Sequence, residues 1–144
     1  MKARDIMTRN VECVTEDDNV EIAARIMRDE DVGIVPVIAD ASSRKLAGVI
    51  TDRDIAVRCV AEGKSSDCRV GEIMSSELIT VAPDEDIENV MNRMKSEQVR
   101  RIPVVEDNRI VGIIAQADLA TEGPDRAEVG DVVERISEPG GKHR

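Results

Sequence analysis

Two short runs hold the residue types best suited to chemistry. Gly48-Val49-Ile50-Thr51-Asp52-Arg53-Asp54 ends in a hydroxyl and a carboxylate three positions apart, and Gly112-Ile113-Ile114-Ala115-Gln116-Ala117-Asp118 repeats it with alanine in place of the threonine. After an apolar strand, Thr-x-x-Asp can start a helix, each side chain meeting an otherwise unpaired amide. The same pair can hold a ligand. Two carboxylate oxygens match the adjacent hydroxyls of a ribose, and a threonine hydroxyl at a helix N-terminus suits a phosphate next to that ribose. Both readings stand on the residues alone. Asp118 sharpens the second: unless it is a solvated first-turn aspartate, a carboxylate serving only to complete a box with threonine has no reason to persist beside Ala115.

Further charge flanks the second run. Gln98-Val99-Arg100-Arg101-Ile102-Pro103-Val104 carries arginines where Asp31-Val32-Gly33-Ile34-Val35-Pro36-Val37 has Gly33 and Ile34. They are either solvated arginines flanking a strand or, if the copies pair head to head, guanidiniums within reach of a phosphate. Gly48 and Gly112 read as bulge or close-packing positions. The three cysteines, Cys13, Cys59 and Cys68, form no CxxC, and the single histidine is His143 near the C-terminus. A zinc site needs about four convergent ligands, so no metal is expected, and the cysteines read as small core residues in a reducing compartment.

The elements that position these groups come from laying the chain on itself. Asp5-Ile6-Met7 falls on Glu72-Ile73-Met74, Val14 on Val81, Asp17 on Asp84, Met27 on Met94, and Pro36-Val37 on Pro103-Val104. Past the prolines the second copy is shorter, and residues 39–48 match 106–112. Each copy predicts a short strand (Cys13 to Thr15; Leu78 to Val81) and an acidic turn that starts a helix. The helix faces are Val20, Ala23, Ala24 and Met27 in the first copy and Ile87, Val90, Met91 and Met94 in the second. Two strands joined by a polar turn follow: 34–38 with 46–50, and 102–105 with 109–114. A proline in the first of each pair predicts an edge or bulged position. Closing helices are expected at Asp52 to Glu62 and Gln116 to Glu122. The reading is an α/β (α+β) fold of two β-α-β-β-α repeats, at 1–63 and 70–123, with 64–69 as linker. Residues 124–144 read as a helix at 127–136 with a flexible tail. One repeat has too little core to stand alone, so the copies are expected to pack about a pseudo-twofold axis with two related clefts.

Composition narrows the function. The 144 residues include no Phe, Tyr or Trp, so any flat ligand must be sandwiched by aliphatic groups. A formal net charge of -10 opposes binding to nucleic acid or an anionic membrane. No window reaches the ~20 apolar residues of a bilayer span, so a cytoplasmic protein is expected. No paired catalytic base, activated nucleophile or assembled metal site is legible, which argues against an enzyme.

Together these features resemble a tandem pair of CBS (cystathionine β-synthase-type) domains, a Bateman module, over about Ala3 to Ala120. The marks are DIM and EIM, LITVAPDEDIENVMNRM, VPV and IPV, and the closing GVITDRDI and GIIAQADL. The resemblance implies a non-catalytic regulatory module that requires no cofactor and binds AMP, ADP, ATP or S-adenosylmethionine between its repeats. It assigns Asp54 to ribose, Thr51 to phosphate, and Ile34, Val35 and Pro36 to the base-side wall, with Cys13 where the family has threonine and Glu16 where it has proline. In the second copy Thr80, Val81 and Pro83 follow the pattern, Asp118 faces ribose, Ile102 and Pro103 line the base, and Ala115 lacks the phosphate-side hydroxyl. Arg100 and Arg101 complete the candidate set. The first cleft is then expected to be the better phosphate site. The helix pairs imply a homodimer, and residues 121–144 are too few for another fold, so the response is expected to pass to a separate regulated protein or to be confined to the dimer. The competing expectation is a protein-interaction module with vestigial clefts.

Overall fold

The computed structural model describes residues 1–122; the helix expected at 127–136, the tail and His143 lie outside the described residues. The chain divides into two compact units, a contiguous one of Glu12–Leu78 and a split one of Met1–Val11 with Ile79 onward.

In the contiguous unit, β1 (Val14–Thr15), α2 (Val20–Glu30), β2 (Ile34–Ile38) and β3 (Leu46–Thr51) precede a single α turn, α3 (Asp52–Asp54), and a π-helix, Ile55–Val60. The sheet order is β1-β2-β3, with β1 parallel and β3 antiparallel to β2. Pro36 is tolerated in the middle strand because the parallel pairing with β1 begins only at Val37. The register slips between Val37 and Ile38, a bulge one step beyond the proline. Asn19 caps α2, its Oδ1 accepting from the Ile22 amide at 3.2 Å. Val20 and Ala23 enter the core with Val35, Val37 and Ile50, and Ile26 and Met27 pack against it. Ala24, expected on this face, is exposed, and Ile26 takes its place on the other flank of the stripe. Cys59 and Cys68 are buried in the same core. The closing helix, expected to be α-helical to Glu62, widens instead to π geometry after one turn.

The split unit repeats the plan. It contains α1 (Ala3–Ile6), α5 (Ile87–Glu97), β4 (Arg101–Glu106), β5 (Arg109–Ala115) and α6 (Gln116–Glu122). Of the strand expected at Leu78 to Val81, only Val81 pairs, as an isolated parallel bridge to Val104. Ile87, Val90, Met91 and Met94 all reach the core, as their spacing predicts. The bulge recurs, between Val104 and Val105.

The leading segments DIM and EIM do more than mark the repeats: each forms a short helix in the unit of the other copy. The helix α4 (Val70–Ile73) lies in the contiguous unit, its Val70 and Gly71 amides donating to the carbonyls of Asp18 and Glu16. In the split unit the Ala3 and Arg4 amides of α1 donate in the same way to Glu85 and Pro83. Part of the stretch expected as a linker is therefore docked, since Cys68 is buried and its carbonyl accepts from the Val20 amide at 2.8 Å. Each leading segment continues into a two-bond bridge, Ser75 to Val49 and Thr8 to Ile113.

These bridges explain the glycines. A Cβ on Gly48 would stand 2.6 Å from the Ser75 carbonyl oxygen, and one on Gly112 would stand 2.6 Å from Met7 Sδ and 2.9 Å from the Thr8 carbonyl oxygen. Both are required by close backbone approach, and the bulges lie next to them across the strand pairs.

Candidate ligand sites at two strand-to-helix junctions

In the contiguous unit, β3 delivers Thr51 to the point where extended backbone turns into helix. Its Oγ1 accepts from the Asp54 amide at 3.0 Å, and Asp54 Oδ2 accepts from the Thr51 amide at 3.0 Å, a complete capping box. Both residues are buried. The threonine proton and the remaining carboxylate lone pairs are not used by these two bonds, so the box does not exhaust either side chain. Thr51 stands opposite Ile34, and the Asp52 amide donates to the Gly33 carbonyl at 2.9 Å.

The second junction is built the same way with one group fewer. Asp118 Oδ2 accepts from the Ala115 amide at 2.8 Å. The carboxylate therefore has a backbone role that needs no threonine, and its persistence beside Ala115 follows from that role. Arg101 pairs with Ala115 in the sheet register, and the Arg100 carbonyl accepts from the Gln116 amide at 2.8 Å. Both arginines thus belong to the unit that lacks the hydroxyl, at its junction.

The predicted site residues fall into two sets, each within one unit. Cys13, Ile34, Val35, Pro36, Thr51 and Asp54 lie in the contiguous unit, and the rest, from Thr80 to Asp118, lie in the split unit. Strand alternation separates some of them. Val35 and Ile102 point into the cores, so they can contribute to a base wall only through backbone, whereas Ile34, Pro36 and Pro103 alternate to the opposite sheet face. Val81 is likewise a core residue, and the buried Pro83 lends its carbonyl to α1. Thr80 is half-buried. Cys13 is half-buried just before β1, with Arg44 Nη2 3.5 Å from its sulfur; burial pushes its thiol up in pKa, and Arg44 partly offsets this.

Sequence reasoning missed Arg58. It stands one helical turn beyond Asp54, with Nε 3.9 Å from Asp54 Oδ1, and the i, i+4 spacing of the two charges in DRDIAVR was the available signal. Its Nη1 also lies 3.4 Å from the carbonyl oxygens of Ile73 and Met74 at the end of α4.

Comparison with known proteins agrees with this architecture. The CBS domain family matches residues 3–60 and 70–125, and the chain belongs to that family. Among relatives, the CBS domain-containing protein YhcV of Bacillus subtilis is 36% identical over 134 residues, covering 93% of this chain and 94% of its own. Hypoxic response protein 1 of Mycobacterium tuberculosis is 38% identical over 128 residues, 88% of each chain. A crystal structure of Hypoxic Response Protein I with two coordinated zinc ions superposes with a TM-score of 0.78 at 37% identity, covering 86% of this chain and all of that one. The CBS domain pair of protein MJ0100, in complex with 5′-methylthioadenosine and S-adenosyl-L-methionine, gives 0.73 at 29% identity, covering 84% and 94%. The chain is thus an α/β protein of two β-α-β-β-α CBS repeats, a non-catalytic regulatory module. Among the described residues no group of three or more His, Cys, Asp or Glu side chains could hold a metal ion. No helix among them is long and apolar enough to cross a membrane.

Proposed function

We propose that this module senses an adenosyl ligand, AMP, ADP, ATP or S-adenosylmethionine, at the Thr51/Asp54 and Ala115/Asp118 junctions. The observation that carries the reading is the matched pair of carboxylates, each fixed by the backbone amide three residues earlier where a strand turns into a helix, a position at which two carboxylate oxygens suit a ribose diol. The adenosyl ligands of the MJ0100 domain pair support the ligand class. Ligand binding favours one conformational state, which a regulated cytoplasmic protein reads. A second copy associates through the helix faces, where Ile22, Val57 and Val60 leave apolar surface exposed.

Calorimetric titration with the four ligands tests this, using Asp54→Asn and Asp118→Asn, which keep an acceptor for the backbone amide while removing the charge. Binding should weaken in each variant. An absence of heat for all four ligands at millimolar concentration would favour the competing reading, a protein-interaction module with vestigial sites. That reading draws on Ala115, which lacks the hydroxyl, and on Glu16, which takes the place of a proline and gives its carbonyl to Gly71.

A further inference from the structure

The charge around the Asp54 junction bears on which adenosyl ligand it takes. Asp54 is buried, and the Asp52 carboxylate lies close over Gly33, with Oδ2 3.1 Å from where a Cβ would stand. Two carboxylates alone make a poor host for a phosphate. Among the described residues Arg58 is a cation that pairs with this site, Nε to Asp54 Oδ1 at 3.9 Å.

Its contacts are long. The guanidinium makes no bond shorter than the 3.4 Å contacts to the Ile73 and Met74 carbonyls, and the side chain is 54% exposed. Such a group gives up little on moving to a phosphate, where short, charge-assisted, two-pronged bonds replace weak ones. A nucleotide whose ribose rested on Asp54 would carry its 5′-phosphate about one sugar's width from a carboxylate that stands 3.9 Å from the Arg58 Nε. The second copy differs at this position: four residues after Asp118 stands Glu122.

Resting on the adenosyl reading above, we propose that Arg58 is the phosphate-selecting residue of the Thr51/Asp54 site, which therefore takes an adenosine 5′-phosphate in preference to a neutral adenosyl compound. The second site, with glutamate at the matching position, does not share this device.

A site-resolved titration tests it. The Thr51 and Asp54 amides of the isotope-labelled full chain are followed by NMR during addition of AMP or of adenosine. In the unaltered protein AMP should bind at least about tenfold more tightly than adenosine. Arg58→Gln should bring AMP down to the affinity of adenosine while leaving adenosine within about twofold, and Arg58→Lys, which keeps the charge without the fork, should retain part of the preference. An unchanged AMP-to-adenosine ratio in Arg58→Gln overturns the assignment while the adenosyl reading survives. Equal weakening of both ligands, with a lowered Tm, also overturns it and makes Arg58 a tether for α4. If neither ligand shifts these amides, the adenosyl reading falls at the Thr51/Asp54 junction, and this inference with it.

Discussion

The Asp118 carboxylate accepts the Ala115 amide at 2.8 Å, as Asp54 accepts that of Thr51 at 3.0 Å, although Ala115 has no hydroxyl to return the bond. The junction is thus built on the aspartate, and the threonine is the dispensable half. The persistence of Asp118 beside Ala115, which sharpens the ligand reading at the level of sequence, therefore no longer favours a ligand over a cap. Backbone capping suffices to retain it, and the case for ligand binding rests on the matched placement of the two carboxylates.

Thr51→Ala should convert the first junction into a copy of the second. Loss of the hydroxyl cap is expected to cost about 1 kcal/mol of stability, read by chemical denaturation, while the Asp54 bond to the residue 51 amide persists. Hydrogen exchange at that amide separates the outcomes. Protection should remain close to that of the unaltered protein, and its collapse would show that the aspartate needs the threonine after all.

Much of this fold was legible because duplication doubles every weak signal. Strands β2 and β3, the α5 face and the bounds of α6 follow from hydrophobic period and from the second copy. The helices α1 and α4 were not legible: each is four residues long and held by backbone bonds to the other copy's turn, which side-chain periodicity cannot reveal. The π-helix after Asp54 was hidden for a related reason, since π and α geometry share residue preferences. Thr51 and Asp54 could be found from their spacing, whereas the side-chain directions of Val35 and Ile102 depended on the register.

The two glycines offer a sharper test of the exchanged leading segments. Gly48→Ala drives a methyl into the Ser75 carbonyl, which cannot rotate away, and should cost about 1–3 kcal/mol. Gly112→Ala meets both Met7 Sδ and the Thr8 carbonyl, so Met7→Ala should recover part of its cost. A double-mutant cycle in thermal or chemical unfolding measures that coupling. Coupling between Gly112 and Met7 close to zero would contradict the packing of α1 against β5.

Acid stability should register the turn between β2 and β3. Asp40 accepts from the Ser43 amide at 2.7 Å and from the Ser42 and Ser43 hydroxyls, which holds its carboxyl down to about 2 from an ordinary 3.8. Because the folded value is the lower one, the turn's contribution is present above about 4 and lost as pH falls toward about 2. The difference in stability between the unaltered protein and Asp40→Ala should therefore shrink across that window. A carboxyl NMR titration of Asp40 with its midpoint near the ordinary value would refute the bonded turn.

Self-association can be tested on an apolar surface displayed by α2 and by the π-helix that also carries Arg58. Ile22 of α2 is 40% exposed, and Val57 and Val60 of the π-helix are 46% and 68% exposed. A regular α-helix advances 100° per residue, so the wider π turn changes which of the residues after Asp54 face outward. With Arg58 held toward Asp54 and Cys59 buried, Val57 and Val60 are left to solvent. Solvated valines contribute little to folding, so Val57→Lys and Val60→Lys should each change stability by no more than about 0.5 kcal/mol. If a second copy covers this surface, the same substitutions should shift sedimentation equilibrium toward monomer, most strongly when combined with Ile22→Lys. An unchanged association state in the triple variant would place any dimer contact elsewhere.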